Sequence, residues 1–141
     1  MTKIRATAVV RKDDKILMIH RLRQGWEHYT LPGGKVEKGE TVKVAVLREL
    51  MEETSIVAKL GERLISFADK EGREHQLFQC EYISGETKLS DDSVELLATD
   101  ENNKYEPMWV EISQLENLII WPEGTKEFLK RNFGSVLERF Q

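Results

Sequence analysis

The feature that most restricts the fold of this chain is an uninterrupted amphipathic segment from Thr41 to Thr54. Proline and glycine are absent from it, and apolar residues recur at helical spacing: Val42, Ala45, Val46 and Leu50. Thr41 is a suitable N-cap, because its hydroxyl can accept a hydrogen bond from a free amide of the first turn. The segment therefore predicts a helix with one buried face.

Most of the remaining chain predicts short strands separated by breaks, because apolar and polar residues alternate. The predicted strands are Ile4 to Val10, Lys15 to His20, Tyr29 to Leu31, Ile56 to Leu60, Arg63 to Asp69, Glu74 to Ile83 and Met108 to Val110. The predicted loops or breaks are Arg21 to His28, Pro32 to Gly34, Gly61, Asp91 to Glu106 and Trp121-Pro122. Two further helices are predicted at Ile112 to Leu118 and Thr125 to Phe140. The first two strands predict a hairpin, and the whole pattern predicts the α/β class, with a central mixed sheet and helices packed on its faces.

Composition restricts the class of protein further. The chain has 141 residues and a net charge of −4, which predicts one domain over residues 1–141 and disfavours a nucleic acid polymer or a membrane as partner. No apolar run approaches the roughly 20 residues of a membrane span, and the first residues lack a signal-peptide core. The single cysteine, Cys80, excludes an internal disulfide and a cysteine-based zinc cluster. We therefore expect a soluble, cytoplasmic domain.

Three carboxylates, Glu49, Glu52 and Glu53, occupy one stripe of the predicted helix. Like charges at these spacings repel each other, and the last turn of a helix disfavours anions. A divalent cation would offset both costs, and carboxylate oxygens suit Mg²⁺ or Mn²⁺. The alternative is a solvated acidic face, in which Arg48 pairs with Glu52 one turn later.

A loop with three glycines connects the strand that ends at Leu31 to this helix. Glycine allows tight turns and the close approach of backbone to a ligand. Lys35 adds a cation near any bound phosphate. The loop is not a P-loop, because no Gly-Lys-Ser/Thr opens the helix. A strand, a glycine loop and a helix that carries carboxylates together suit the binding of a metal and a diphosphate.

These residues resemble the signature of the Nudix (MutT-like) hydrolase family. That signature is a glycine, five residues, a glutamate, seven residues, and then Arg-Glu-aliphatic-x-Glu-Glu-x-Gly-aliphatic. Gly34 and Glu40 stand at the first two positions, and the run from Arg48 to Ile56 reads Arg-Glu-Leu-Met-Glu-Glu-Thr-Ser-Ile. Ser55 replaces the final glycine, which ends the helix where a left-handed residue is useful. Serine at that position costs about 1 kcal/mol if φ stays positive.

The resemblance implies a Nudix-type α/β/α sandwich and hydrolysis of a nucleoside diphosphate linked to another moiety, by attack of water on phosphorus. The implied ligands of Mg²⁺ or Mn²⁺ are three helix carboxylates and a backbone carbonyl of the glycine turn: Glu49, Glu52, Glu53, and Gly33 or Gly34. Arg48 would orient the carboxylates, and Glu40 would hold Arg48 or the loop.

The general base and the substrate contacts have several candidates. Glu52 is the first choice for the base, and Glu101 and Glu106 are alternatives in the acidic stretch. Arg21 and Lys35 are candidate substrate contacts. Further residues surround the entry to the glycine loop, where an aromatic ring could stack on a base: Arg23, Trp26, His28 and Tyr29. The remaining conspicuous residues are interpreted as structural: His20 and His75 in strands, Cys80 as a buried small side chain, and Trp109 and Trp121 in the core.

The expected substrate is a small nucleotide, with (d)NTPs, including oxidised or otherwise modified ones, as the first choice. Hydrolysis of ADP-ribose or another nucleotide sugar is the alternative, although no proline-rich signature follows the helix. A non-catalytic Nudix domain that binds a nucleotide or a protein is an alternative of another class. It is disfavoured because all three helix carboxylates are present. A Nudix-like isomerase would use an active-site cysteine, whereas Cys80 lies in a predicted strand. A homodimer is left open.

Overall fold

The computed structural model describes residues 3–88 and 103–134. Its strands are β1 (Ile4–Lys12), β2 (Lys15–Arg23), β3 (Trp26–Thr30), β4 (Gly33–Lys35), β5 (Val57–Ala68), β6 (Glu74–Ser84) and β7 (Asn103–Glu111). Its helices are α1 (Val42–Thr54), a 3₁₀ helix (Ile112–Asn117) and α2 (Thr125–Leu129), which continues as a π-helical turn (Lys130–Gly134). Within the described residues, no helix is long and apolar enough to cross a membrane.

The strands form one mixed sheet, in which β3, β2, β1, β6 and β5 follow one another. β1 and β6 are parallel, and the other pairs are antiparallel. The short strand β4 pairs with β1, and β7 pairs with β2. β1 and β2 pair only next to their connecting turn, at Arg11–Ile16 and Lys12–Lys15. The predicted fold class and the first hairpin are therefore confirmed.

Apolar side chains fill both faces of the sheet, because successive residues of a strand point to opposite sides. One core lies under α1 and includes Ala6, Ala8, Val10, Leu17, Phe78 and the helix residues Ala45, Val46 and Leu50. The other core lies under the 3₁₀ helix and α2 and includes Val9, Ile16, Met18, Leu77, Leu115 and Leu129. The result is a three-layer α/β/α arrangement, with the catalytic candidates on the face that α1 covers.

The predicted helix is confirmed together with its first cap. The Thr41 hydroxyl accepts a hydrogen bond from the Val44 amide at 3.2 Å, and α1 ends at Ser55. Ser55 has φ +63°, and its amide donates to the Met51 carbonyl. Its hydroxyl donates to the Lys88 carbonyl at 2.8 Å. Serine thus occupies the left-handed position that glycine favours, and its side chain contacts the segment that leaves β6.

The prediction of a loop from Arg21 to His28 is wrong. β2 extends to Arg23, β3 begins at Trp26, and the two strands form a hairpin. Gln24 and Gly25 make its turn with φ +48° and +84°. A two-residue turn needs such positive values to match the twist of the strands. Gln24 is not a typical residue for that position, and the hairpin was therefore not recognised from the sequence.

Two predicted glycine breaks are also wrong. Gly33 lies inside strand β4, and Gly61 lies inside the continuous strand β5, where the pairing with β6 shifts register. A Cβ on Gly33 would stand 2.6 Å from the Ala6 carbonyl oxygen, and one on Gly61 would stand 2.7 Å from that of Gln79. Glycine at both positions permits close packing of strands rather than a turn.

The C-terminal predictions are changed in part. The acidic stretch predicted as a loop becomes strand β7 from Asn103 onward, and its residues 91–102 lie outside the described residues. The predicted short helix at Ile112 to Leu118 is a 3₁₀ helix. The helix predicted from Thr125 to Phe140 is α-helical only to Leu129 and then becomes a π-helical turn, and residues 135–140 lie outside the described part.

The left-handed conformation of Ser55 gives a stability prediction. Ser55→Gly and Ser55→Ala both remove the hydroxyl contact with Lys88, but only alanine retains the unfavourable positive φ. We expect the glycine variant to be more stable than the alanine variant by about 1 kcal/mol in urea unfolding. The same pair at Ser66, an exposed residue of β5, is the control and should show the opposite order. Equal stabilities at Ser55 would contradict the assignment of strain to this cap.

Candidate active site

The guanidinium of Arg48 organises the polar side of α1. Its Nε donates to Glu40 Oε2 at 2.6 Å, and its Nη2 donates to Glu40 Oε1 at 2.9 Å. This two-point contact between a guanidinium and a carboxylate is strong and directional. The hydrogen bonds from Arg48 and from the Glu37 amide lower the pKa of Glu40 from 4.5 to about 2. The loop and the helix are therefore joined by a charged pair that persists well below neutral pH.

The same guanidinium also binds two of the helix carboxylates. Arg48 Nη1 lies 2.9 Å from Glu49 Oε1 and 3.3 Å from Glu52 Oε2. Arg48 Nη2 donates to the backbone carbonyl of Lys35 at 3.1 Å. The hydrogen bonds and charges of Glu40, and then of Glu49, raise the pKa of Arg48, so it stays charged at every accessible pH. Arg48 thus offsets the repulsion between carboxylates that the sequence places on one stripe.

The glycines of β4 contact the two buried carboxylates, Glu49 and Glu53. The Gly33 amide donates to Glu53 Oε1 at 3.3 Å. A Cβ on Gly34 would stand 2.5 Å from Glu49 Oε1, so the carboxylate of Glu49 occupies the space that a side chain would need. β4 is held in place by pairing with β1 at Ala6 and Thr7. Glycine in this strand therefore allows α1 to bring its carboxylates against the backbone.

The three helix carboxylates differ in their access to solvent. Glu49 and Glu53 are 8% and 6% exposed, whereas the side chain of Glu52 is 43% exposed. Within residues 3–88 and 103–134, no three acidic, histidine or cysteine side chains are arranged to hold a metal ion. The side chains still suit a hard divalent cation, because Glu49 and Glu53 place carboxylate oxygens against the glycine backbone of β4. Glu52 is the member of the set that water reaches most easily.

A second group of polar and aromatic residues lies on the same face of the sheet, on β2, β3 and β7. Arg21 stacks on the Tyr105 ring, with its guanidinium carbon 3.8 Å from the ring centroid. Trp26 stacks on His28 at 3.8 Å between centroids and an angle of 20°. Lys35 contributes its carbonyl to Arg48, and its side chain is exposed. Tyr105 was not identified from the sequence, because the acidic stretch was interpreted as a loop. The pairing of β7 with β2 places Tyr105 opposite Arg21.

Comparison with known proteins identifies the family. The family model described as "NUDIX domain" matches residues 1–131. The chain belongs to the Nudix family. Nudix hydrolases in general depend on divalent metal ions. Glu40, Arg48 and the helix carboxylates all lie within the matched residues, and we refer to this arrangement as the Nudix box.

This Nudix chain is similar in sequence to proteins that are named for different activities. The ADP-ribose pyrophosphatase of Methanocaldococcus jannaschii is 41% identical over 101 residues, which make up 67% of this chain and 60% of that protein. The 8-oxo-(d)GTP phosphatase of Mycolicibacterium smegmatis is 28% identical over 122 residues, which make up 83% of this chain and 34% of that protein. The chain thus spans less than two thirds of the length of both curated relatives.

A solved structure supports the fold. The MutT structure described for Aliivibrio salmonicida and Vibrio cholerae superimposes with a TM-score of 0.69 and 19% identity, and the match covers 94% of this chain and 96% of that one. At this identity the likeness concerns the Nudix fold alone.

The alternative general-base candidates do not join the Nudix box. Glu106 lies on β7 two residues before Met108, which packs in the core on the side of the sheet away from α1. Alternation places Glu106 on that same side, where its Oε2 is 3.6 Å from His20 Nδ1. Glu101 lies outside the described residues. Glu106 is therefore removed as a candidate, because the sheet separates it from the helix carboxylates.

The residues interpreted as structural lie in ordinary packing environments. Trp109 packs against the core under α1, and Cys80 is buried there. Burial raises the pKa of the Cys80 thiol to about 11, which leaves it protonated and unreactive. His75 is buried and bonds Asp69 Oδ2 at 2.9 Å. An isomerase that uses Cys80 is thus disfavoured.

The Glu40–Arg48 pair gives a pH prediction. Because the folded-state pKa of Glu40 is about 2 and its ordinary value is 4.5, its stabilising effect is complete above pH 4.5 and is lost as the pH falls towards 2. We expect Glu40→Gln to be less stable than wild type at pH 7, with the difference shrinking steadily below pH 4.5. Urea unfolding measured between pH 7 and pH 2.5 tests this, with the exposed Glu127→Gln as control. A difference that is independent of pH would contradict the assigned pair.

Proposed function

We propose that this chain is a divalent-metal-dependent hydrolase of a nucleoside diphosphate linked to another moiety, acting as a single Nudix domain. One observation carries the proposal: Arg48 joins Glu40, Glu49 and Glu52 in one charged cluster, against a glycine strand that leaves room for the carboxylates. Arg48 offsets only part of the repulsion between carboxylates, because it is one cation against three acidic side chains at one helix end. A solvated acidic face would not need Gly34 to accommodate a buried Glu49.

The non-catalytic alternative is less well supported. A domain that only binds a nucleotide or a protein has no need for a half-exposed carboxylate beside two buried ones. This chain retains all three, and it retains both partners of the Glu40–Arg48 pair. Catalysis is therefore the better interpretation of the site.

Glu49, Glu52 and Glu53 would hold Mg²⁺ or Mn²⁺, together with a carbonyl of Gly33 or Gly34. When bound, the metal neutralises the diphosphate and lowers the pKa of the attacking water. The carboxylates that now accept from Arg48 and from Gly33 would turn towards the ion. Arg48 remains bound to Glu40 and to the Lys35 carbonyl, so it holds the loop in place during this change.

Glu52 is the proposed general base, because it is the most accessible of the three carboxylates. Its carboxylate accepts a proton from the attacking water as the water oxygen forms a bond to phosphorus. The phosphoanhydride P–O bond breaks, and the electron pair leaves with the departing phosphate group. Arg48 Nη1 lies 3.3 Å from Glu52 Oε2 and fixes the position of this carboxylate beside Glu49.

Two substrate classes are supported by different observations. The chain lacks the proline-rich marker of nucleotide-sugar enzymes, which favours (d)NTPs, including oxidised ones. The identity to the archaeal relative favours ADP-ribose. An assay that separates pyrophosphate release from (d)NTPs and release of AMP with ribose 5-phosphate from ADP-ribose distinguishes the two. We propose (d)NTPs as the first substrate class. Preferential cleavage of ADP-ribose would instead assign ADP-ribose as the substrate.

The cytoplasmic location and a homodimer stay predictions from the sequence.

A substitution at Glu53 tests the metal-dependent mechanism. We expect Glu53→Gln to lower kcat by at least about a hundredfold, because one charged ligand is removed from the site. The melting temperature without metal should change little, because the glutamine carbonyl can still accept from the Gly33 amide. Wild type should gain several degrees in melting temperature with Mn²⁺, about 2.7 kcal/mol at a hundred times Kd, and the variant should lose most of this gain.

Two controls separate this effect from general electrostatics. Glu127→Gln changes an exposed glutamate on α2, across the sheet, and should keep both activity and the response to Mn²⁺. Potassium chloride at matched ionic strength gives only screening. If Mn²⁺ and potassium chloride shift the wild-type melting curve equally, the helix carboxylates do not form a metal site.

A further inference from the structure

A small pocket with polar walls lies on the side of the sheet away from α1. Leu77 of the core on that side lines it, and so do four polar residues: Arg5, Thr7, His75 and Thr125. Three of these polar side chains are buried, since Thr7, His75 and Thr125 are 7%, 2% and 1% exposed. The volume of the pocket is about 20 Å³. A water molecule needs at least about 10–15 Å³ of such space, so the pocket has room for one water.

The hydroxyl of Thr125 indicates that a polar group belongs in this pocket. Its Oγ1 is buried and has no hydrogen-bond partner within residues 3–88 and 103–134. Buried polar atoms almost always have a partner, because an unpaired one loses its hydrogen bonds to water without replacement. Thr125 lines the pocket, so the pocket is a place where such a partner can bind.

His75 offers a second hydrogen-bonding atom from β6. Burial lowers the pKa of His75 below its ordinary value of 6.5, although the hydrogen bond with Asp69 acts in the opposite direction, so the ring is neutral at pH 7. His75 Nε2 lies 2.9 Å from Asp69 Oδ2, and this contact with a carboxylate assigns the single ring proton to Nε2. Asp69 does not line the pocket. Nδ1 is therefore the other ring nitrogen, and it is an acceptor.

The chemistry of these groups selects the occupant. A group that serves both side chains must donate to His75 Nδ1 and also bond the Thr125 hydroxyl. Water can do both, because it has two donors and two acceptor positions, whereas a halide has no donor for Nδ1. A metal cation is disfavoured, because Arg5 lines the pocket and its positive charge already acts on His75.

We propose that one water molecule occupies this pocket and bridges Thr125 Oγ1 and His75 Nδ1. The water joins α2 to β6 by a polar contact, in addition to the apolar core that Leu129 and Leu77 share. This site lies across the sheet from the Nudix box and does not depend on the proposed function.

A crystal structure of the wild type, from crystals soaked in sodium bromide, tests the identity of the occupant. At a resolution of about 1.5 Å, we expect a water oxygen within about 3.2 Å of both Thr125 Oγ1 and His75 Nδ1. Bromide gives an anomalous signal that water does not. An anomalous peak in the pocket would overturn the proposal, and so would a pocket without ordered density.

Imidazole NMR of two Thr125 variants tests the bridge in solution. Thr125→Val keeps the shape of the side chain but removes the hydroxyl, whereas Thr125→Ser keeps the hydroxyl and is the matched control. In protein labelled with ¹⁵N-histidine, we expect the His75 Nδ1 resonance of Thr125→Val to shift towards that of a ring nitrogen without a hydrogen bond. Thr125→Ser should keep the wild-type resonance.

Two NMR outcomes would contradict the bridge. An unchanged His75 Nδ1 resonance in Thr125→Val would show that the hydroxyl holds no water on the ring. An equal shift in both variants would show a change of packing instead. The crystal structure needs no variant, so it decides the proposal even if Thr125→Val does not fold.

Discussion

The site depends on one guanidinium. Arg48 contacts Glu40, Glu49 and Glu52 within 3.3 Å and the carbonyl of Lys35 at 3.1 Å. Glu49 is buried, and a buried carboxylate without a charged partner would be strongly destabilising. Arg48 supplies that partner and at the same time joins the helix to the loop through Glu40. A lysine could not do both, since it lacks the planar fork that binds two carboxylate oxygens together. The loop, the helix and the carboxylates are therefore positioned by the same side chain.

The second constraint is steric and comes from β4. This strand lies between β1 and α1, and its glycines leave no side chain in the space where the carboxylate of Glu49 sits. The Gly33 amide donates to Glu53. A strand with ordinary side chains would keep α1 further from the sheet and would leave both buried carboxylates without these contacts. A helix with two buried glutamates depends on both features: the positive charge of Arg48 and the space that Gly34 leaves for a carboxylate.

The parts of the fold that follow from one periodicity could be predicted from the sequence. α1 is regular from Thr41 to Thr54, and its buried residues have helical spacing, so the helix and its packing face were correct. Two of the failures share one cause, because the Pro32 to Gly34 segment and Gly61 were interpreted as breaks. Gly33 and Gly61 instead allow neighbouring backbone to approach, which depends on residues distant in sequence. Tyr105 was missed for a similar reason, because only the pairing of β7 with β2 shows that it lies opposite Arg21. The carboxylates could be found from spacing, whereas their partners on other strands could not.

The sheet face under α1 has two parts with different chemistry. The half next to β4 is acidic and tied to Arg48, and its geometry depends on backbone contacts that tolerate few side chains. The half formed by β2, β3 and β7 carries stacked side chains, Arg21 on Tyr105 and Trp26 on His28. These side chains stand on strands that pair with each other through their backbones, whereas the carboxylates of α1 depend on Gly33 and Gly34. Under the proposed function, the carboxylates that act on the diphosphate are therefore constrained by backbone contacts of the fold, whereas the side chains of the other half are not held by those contacts.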